Sequence, residues 1–293
     1  MNGQGLSARA LLLALAVVLV WGSNFAVIGA TLHALPPLLF AALRFAAVVF
    51  PLIFFVRRPA VPWRILAGYG IAIGVGQFGL LFIAINGYIA AGLASLIVQS
   101  QAVFTIAMAM ILSGERLKPL QYGALALALA GLAVILGHTG GDVTVTGIVL
   151  VLGAALGWSL GNMVQRSAGK VDMLGFITWA SLFSVPPLAL MALWFEGWPA
   201  IHTALLAATP AVWAAIAWQA VGNTLFGYGA WGWLLARYPA TSVAPTSLLV
   251  PVIGMASTAL FLGEPLPGWK LFAAALIVGG LAVNVLATRP RRS

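Results

Sequence analysis

Long apolar stretches separated by short breaks are the feature that most constrains how this chain can fold. A helix that crosses a bilayer needs roughly 20 mostly apolar residues, and the sequence contains ten such stretches. They are predicted over residues 8–30, 36–56, 64–85, 89–112, 119–137, 145–166, 172–195, 210–234, 240–262 and 269–288. The breaks carry Pro, Gly or charge, as in "RRPAVPWR" from Arg57 to Arg64. The pattern predicts an all-α polytopic membrane protein with ten transmembrane helices.

Composition excludes the soluble alternatives. Charged residues make up only 6% of the chain, whereas soluble globular domains carry about 25%. The chain has no Cys, which excludes disulfides and thiolate metal sites. A net charge of +9 would suggest nucleic acid in a soluble protein, but here the basic residues fall in short loops. We therefore expect the basic residues to set the membrane topology. The expected partner is membrane lipid and not nucleic acid.

The basic residues lie almost entirely on one side of the predicted bundle. With ten spans, twelve of the fourteen Lys and Arg residues fall on the side of the termini, Lys270 falls on the other, and Arg44 lies inside a span. Cytoplasmic loops carry the excess of Lys and Arg. We therefore expect both termini in the cytoplasm of a cell with this protein in its inner membrane.

An internal repeat relates the two halves of the chain. The segment "GERL" at Gly114–Leu117 recurs as "GEPL" at Gly263–Leu266, and ten of the 23 positions from Gly114 to Leu136 match at that spacing. The first copy follows span four and the second follows span nine. Because five is an odd number, a duplicated half must be inverted. The sequence predicts two inverted five-helix repeats, residues 1–138 and 139–293, around a central cavity.

Several segments resemble the drug/metabolite transporter superfamily, in its ten-helix EamA-type branch. "LVWGSNFAVIGA" with "LPPLLFAALRF" resembles the family's first helix pair, and "SLLVPVIGMASTALFLGEPL" resembles its ninth helix. The resemblance covers nearly the whole chain and is strongest to amino-acid exporters of the YddG type. It implies export of small metabolites across an inner membrane. Ala102 stands where the family often has Pro, which argues against a kink in the fourth helix.

Ionisable side chains are missing from the centre of the spans. No Asp, Glu, Lys or His lies there, although membrane proton relays and cation sites use such groups. We therefore expect neither proton coupling through a midplane carboxylate nor hydrolytic or transfer chemistry. The His residues show no metal-ligand spacing, so no metal or cofactor is predicted.

Amides, hydroxyls and aromatic rings at helical spacing are the candidate substrate-binding groups. They follow single helix faces in several spans, which suggests a shared wet cavity. The candidates are Trp21, Asn24, Gln77, Gln99, Trp158, Asn162, Gln165, Gln219, Asn223, Tyr228 and Thr246. The fourth span has two polar stripes, Ser95–Gln99 and Gln101–Thr105, and the pattern does not decide between them. The alternative for each amide is a hydrogen bond between helices.

Other polar or helix-breaking residues have more limited predictions. Arg44 either clamps a substrate carboxylate or is structural, bonded to helix-end carbonyls or reaching the membrane surface. The varied substrates of the branch favour the structural role. Pro245 and Pro251 are candidate hinges. Glu115 and Glu264 are expected to cap or turn helix ends, and Asn284 is expected to be peripheral.

The functional prediction is a transporter that works by alternating access. Its substrate is expected to be a small neutral or zwitterionic metabolite, most simply an amino acid, moved by facilitated diffusion or exchange. A nucleotide-sugar type of carrier would need more cations in the cavity, and a multidrug exporter would suit the aromatic content. An intramembrane enzyme would need acid–base groups that the spans lack. The sequence leaves the oligomeric state open, a monomer included.

Overall fold

The computed structural model describes residues 6–113, 119–169, 171–238 and 240–288, and these form a helical bundle without a β-strand. Within these ranges, nine helices are long and apolar enough to cross a membrane. A tenth, Pro210–Arg237, passes the same test together with the short helix before it. The spans, labelled α1 to α10, are Ala8–Thr31, Pro37–Phe54, Trp63–Ile85, Ala91–Met108, Pro119–Leu136, Val145–Ser167, Met173–Phe195, Pro210–Arg237, Ala244–Leu262 and Gly268–Ala287.

The segment between α7 and α8, for which the sequence predicted no span, is helical. A short helix, Trp198–Ala207, fills most of it and meets α8 at 103°. Pro199 lies in the first turn of this helix, where the missing N–H costs nothing. Pro210 cannot extend it, so a new helix starts there in another direction.

Irregular turns fall in corresponding helices of the two five-span sets. The third and eighth spans each contain a π-helical segment, Ala72–Gly79 and Trp218–Phe226. The fourth and ninth contain 3₁₀ segments, Val98–Ser100 and Ala244–Leu248. The first, fifth, sixth and tenth are continuous α-helices. α4 contains its 3₁₀ segment although Ala102 stands where the family often has Pro.

Packing between the spans also follows the repeat. α1 packs against α8 and α9, while α6 packs against α3 and α4. α5 pairs with α10, and α2 with α7. Small residues allow the close approaches that hold helices together in lipid: a Cβ at Gly131 of α5 would lie 2.6 Å from Ile277 of α10. Each pairing in the first five spans therefore has a counterpart in the last five, as a two-repeat architecture requires.

At one end of the bundle, here called the Glu264 face, carboxylates of the second half bind helix starts of the first. Glu264 accepts hydrogen bonds from the backbone N–H groups of Ala91 (2.8 Å) and Gly92 (3.0 Å) at the start of α4. Glu196 binds the start of α2 through Leu38 and Leu39. A carboxylate at a helix N-terminus satisfies free donors and the helix dipole. Glu264 thus caps a helix, as predicted, while Glu115 lies outside the described residues.

Lys270, the basic residue expected alone on its side, is paired at the Glu264 face. Its Nζ lies 2.5 Å from the carboxylate of Asp142, and the Lys270 side chain is only 3% exposed. The opposite end, here called the Arg166 face, includes Val56, whose carbonyl accepts a hydrogen bond from Trp179 Nε1 at 3.0 Å. The exposed Arg57, Arg58, Arg64 and Arg166 lie toward this end, where Asp172 caps the start of α7. The Arg166 face therefore carries an excess of positive charge that the Glu264 face lacks.

Candidate functional site

A polar vestibule of about 640 Å³ lies between α4, α6 and α10, beside Arg166. Its polar lining comes from amides and a hydroxyl on three helices, with one arginine at the rim. These residues are Gln101, Thr105, Asn162, Gln165, Arg166 and Asn284. The vestibule falls in the size range of small-molecule sites, about 300–1,000 Å³.

Hydrogen bonds join α4 and α6 across this vestibule. Asn162 Nδ2 donates to Gln101 Oε1 at 3.3 Å, and the hydroxyls of Thr105 and Ser159 lie 2.9 Å apart. Gln101 and Thr105 form the second polar stripe of α4, so this stripe lines the vestibule. The first stripe is buried elsewhere: Ser95 Oγ donates to a carbonyl of its own helix at 2.6 Å.

Asn284 belongs to the vestibule, so the expectation that it is peripheral is wrong. It lines the cavity together with Asn162, and its Oδ1 accepts a hydrogen bond from Gln121 Nε2 at 3.3 Å. The neighbouring Gln165 donates to the sulfur of Met173 at 3.5 Å.

An apolar groove of about 80 Å³ adjoins the vestibule between α4, α5 and α10. The groove and the vestibule share Ala102, Ile106 and Asn284. Val103, Leu125 and Leu281 contribute most of the apolar lining, and Gln121 adds a second amide beside Asn284. The arrangement offers hydrogen-bonding groups on one side and an apolar recess on the other, which suits a ligand with a polar end and an apolar end.

Arg44 is completely buried in the middle of α2. Its Nη2 donates to Thr224 Oγ1 of α8 at 3.0 Å, and its guanidinium carbon lies 3.5 Å from the ring centroid of Phe78. Nε and Nη1 have no hydrogen-bond partner among the described residues. Arg44 therefore neither reaches the membrane surface nor binds a helix-end carbonyl, the two structural roles considered from the sequence.

The chamber around Arg44 is formed by α2, α3, α7 and α8. Tyr69, Ser181 and Tyr228 contribute polar atoms to its wall. Its volume is about 10 Å³, which is at the lower limit for holding one water molecule. The chamber is closed in this conformation, whereas the vestibule is open.

Trp21 connects α1 to α8. Its indole Nε1 donates to the backbone carbonyl of Asn223 at 3.1 Å, and its ring lies 5.5 Å from that of Tyr228 and 5.3 Å from that of Trp231. A Cβ at Gly227 would overlap the indole. Three predicted site residues, Trp21, Asn223 and Tyr228, are thus brought together, but outside the vestibule.

The remaining predicted residues are dispersed. Asn24, Gln77, Gln99 and Gln219 are buried, and among the described residues amide atoms of Asn24, Gln77 and Gln219 have no hydrogen-bond partner. Trp158 packs against the apolar core.

The predicted residues of α9 make contacts within their own helix or lie at a change in its helix type. The Thr246 hydroxyl donates to the carbonyl of Val243 at 2.7 Å. Pro245 lies in the 3₁₀ segment and Pro251 in the α-helical part, so Pro245 coincides with a change in helix type, as a hinge would require.

Sequence reasoning missed several residues of these cavities. Tyr69, Ser181 and Thr224 line the Arg44 chamber but were not candidates. For Asn284 a signal existed, because it is an amide in an apolar span. For Thr224 none existed, because α8 is π-helical there and the usual 3.6-residue periodicity gives the wrong face.

The chain matches the EamA-like transporter family over residues 8–137 and 145–286. A probable amino-acid metabolite efflux pump of Salmonella typhimurium is 43% identical over 287 residues, covering 96% of both chains. A protein of the same description in Escherichia coli is 42% identical over the same coverage. A probable terminal-alkyne amino-acid exporter of Streptantibioticus cattleyicolor is 28% identical over 81% of this chain and 78% of its own.

A solved structure has the same fold. A crystal structure superimposes with a TM-score of 0.64 and covers 98% of this chain and 100% of its own, at 23% identity.

Proposed function

The chain belongs to the EamA-like transporter family, and from this premise we propose that it exports amino acids or closely related small zwitterionic metabolites. It is a multi-pass membrane transporter and not an enzyme. The observation that carries the substrate proposal is the vestibule, which pairs neutral hydrogen-bonding groups with an adjoining apolar groove. Amides can bind the ammonium and carboxylate groups of a zwitterion, and the groove can receive its side chain.

The transport direction follows from the orientation of the bundle. The exposed Arg57, Arg58 and Arg166 lie toward the Arg166 face, and an excess of basic residues is typical of the cytoplasmic side. The vestibule then opens to the cytoplasm, both termini are cytoplasmic, and substrate is captured for export. In a bacterial cell this membrane is the inner membrane.

The two halves, residues 1–138 and 139–293, are inverted copies that exchange roles around the cavity. This part of the proposal is supported by the two family matches and by the corresponding π-helical and 3₁₀ segments. Alternating access arises when the helices of one half rock against the other. Pro245 and Pro251 are the hinges of α9.

Transport proceeds by facilitated diffusion or exchange. The four carboxylates of the described residues, Asp142, Asp172, Glu196 and Glu264, are all engaged at helix ends or in the Lys270 pair. None lines the vestibule, where a proton relay would need one.

The test is uptake into liposomes that contain the pure protein, with a panel of radiolabelled amino acids. We expect saturable uptake and exchange without any ion gradient. Accumulation that requires a proton gradient would overturn the energetic part, and a protein that transports no amino acid would overturn the substrate class. Drug-like cations belong in the same panel, because the apolar groove makes a multidrug exporter the second candidate.

A further inference from the structure

Arg44 carries a buried charge for which the described residues provide no counter-charge. It is fully buried in the middle of a membrane span. The Lys270–Asp142 bridge is the ion pair of the described residues, and their other carboxylates are bound at helix ends. An unpaired charge at this depth is costly, and residues that bear one in membranes commonly mark a substrate pathway.

The contacts of Arg44 leave most of its donors unused. A guanidinium has five N–H groups, and one hydrogen bond, to Thr224, is made within the described residues. Phe78 covers one face of the guanidinium plane and holds it by a cation–π contact. The ring fixes the plane but uses none of its edge donors. An edge with two free N–H groups is the geometry that binds a carboxylate with two parallel hydrogen bonds.

The π-helical segment of α8 positions the Thr224 hydroxyl to accept a hydrogen bond from Arg44. The Thr224 hydroxyl donates to the backbone carbonyl of Gln219 at 2.9 Å, so its oxygen is left to accept from Arg44. Gln219 and Thr224 are five residues apart, the spacing that a π-helix brings together. Segments of this kind are often found at functional sites, and this one orients the arginine toward a chamber that also contains Tyr69 and Tyr228.

We propose that Arg44 binds the carboxylate of the transported amino acid in this chamber, at a later step than the first binding to the vestibule amides. The inference rests on the proposed function and deepens it by naming the group that is recognised. One arginine among neutral hydroxyls matches one negative charge, whereas a phosphate dianion would require more cations. Because the chamber is closed here, the carboxylate reaches Arg44 only when α3 and α8 move apart.

The experiment compares amino acids with their amides, which keep the side chain and the ammonium group but lack the carboxylate. Wild-type protein in liposomes is assayed with L-phenylalanine and L-leucine and with L-phenylalaninamide and L-leucinamide. The variants are Arg44→Gln and Arg44→Lys. The matched control is Arg237→Gln, because Arg237 also lies over an aromatic ring, that of Trp233, but is exposed.

We expect the wild type to prefer acids over amides. Arg44→Gln should lower transport of the acids at least about tenfold, the usual consequence of losing hydrogen bonds to a charged group. It should leave the amides nearly unchanged, so the acid-to-amide ratio collapses. Arg44→Lys should keep part of the preference for acids, since lysine retains the positive charge but not the paired N–H groups of the guanidinium. Arg237→Gln should keep the whole preference.

A purely structural role for Arg44 gives a different result. It would lower acids and amides together and leave their ratio constant, which would overturn the inference while the proposed function stands. If Arg44→Gln does not yield folded protein, Thr224→Val tests the same point, because it removes the hydrogen bond that orients Arg44. An unchanged ratio in Thr224→Val and Arg44→Lys would likewise overturn it. A wild type that transports neither acids nor amides would instead remove the proposed function itself.

Discussion

The α3–α6 interface and the α1–α8 interface occupy corresponding places in the two halves but are built differently. In the first, backbone packs directly on backbone: a Cβ at Gly157 would lie 2.6 Å from the carbonyl carbon of Gly76 and 2.8 Å from the nitrogen of Gln77. In the second, the side chain of Trp21 lies between the helices, over Gly227. The α3–α6 interface has no side chain between the two backbones, whereas the indole ring of Trp21 separates α1 from α8.

This difference indicates which interface opens during transport. Backbones packed this closely have no side chain between them that could move aside. A tryptophan held by one hydrogen bond to a backbone carbonyl can release it and change rotamer. We therefore expect α1 and α8 to separate during the transport cycle, while α3 and α6 move as a unit.

The largest expected effect comes from adding a methyl group to each interface. Gly157→Ala should lower the free energy of unfolding by about 3 kcal/mol, because the new Cβ meets backbone that cannot yield. Gly227→Ala should cost about 1 kcal/mol, because it meets a side chain that can rotate. Thermal unfolding of the purified variants in detergent measures both.

Gly153→Ala is the matched control on α6. Its Cβ would meet only the terminal methyl carbon of Leu80, at 3.0 Å, and alanine is the better helix former by up to about 1 kcal/mol. Its stability should be unchanged or higher. Equal losses for Gly157→Ala and Gly227→Ala would mean that the two interfaces are equally rigid, and the comparison would fail.

The spans themselves could be predicted from sequence, because length, hydropathy and helix-breaking residues are local properties. The predicted boundaries of α1 and α6 agree with Ala8–Thr31 and Val145–Ser167 to within one residue at each end. The short helix Trp198–Ala207 was missed because ten residues are too few to cross a bilayer. The difference between the two interfaces was also invisible, since Gly157 and Trp21 reveal their partners only in three dimensions.

A smaller loss is expected when the tie between the halves at the Glu264 face is removed. Glu264→Ala leaves the first N–H groups of α4 without a partner and should cost about 1–2 kcal/mol, as the loss of a helix cap does. Thermal unfolding should show this loss, and Glu264→Gln should recover part of it. If Glu264→Ala were neutral, the interfaces alone would hold the halves together.

Trp21→Phe addresses the separable interface directly. It keeps an aromatic ring between α1 and α8 but removes the hydrogen bond to Asn223, worth about 0.5–1.5 kcal/mol. We expect a threefold to tenfold change in the exchange rate in liposomes, with little change in unfolding temperature. A variant with wild-type exchange but much reduced stability would show that Trp21 serves packing rather than opening.

Asn162→Ala tests the vestibule, which is lined by α6, a helix of the interface that is expected to stay closed. Loss of one neutral hydrogen-bonding group should weaken the apparent affinity about threefold to tenfold. The control is Ser167→Ala on the same helix, whose exposed hydroxyl binds the carbonyl of Val164 one turn earlier. A silent Asn162→Ala would assign this amide to helix packing through Gln101.

The smallest effect concerns pH and the Glu196 carboxyl. Burial raises the pKa of Glu196, and the hydrogen bonds from Leu38 and Leu39 oppose that shift. The folded protein therefore holds this proton more tightly than the unfolded chain. The resulting stability is fully present below the usual glutamate pKa and is lost as pH rises through the folded-state value. Glu196→Gln should remove this pH dependence from the thermal unfolding curves.

Candidate site residues were less predictable than spans. Asn162 and Gln165 were found because one continuous helix carries them on one face, and α6 is regular. Gln219 and Asn223 were placed on one face by the same rule, but the π-helical segment of α8 changes the angle between them. Arg44 was identified as unusual, yet its partner Thr224 depends on that same segment.

The sharp turn before α8 also fixes how deeply the protein sits in the bilayer. The short helix lies at 103° to α8, nearly perpendicular to that span, so we expect it to run along the membrane surface. Trp194 at the end of α7, Trp198 at the start of the short helix and Trp213 near the start of α8 are all exposed, and tryptophan prefers the headgroup region. We expect the short helix to hold one side of the bundle at the level of the lipid headgroups. In a thinner membrane we expect the bundle to keep this depth and to tilt, so the rate of transport should vary with lipid thickness.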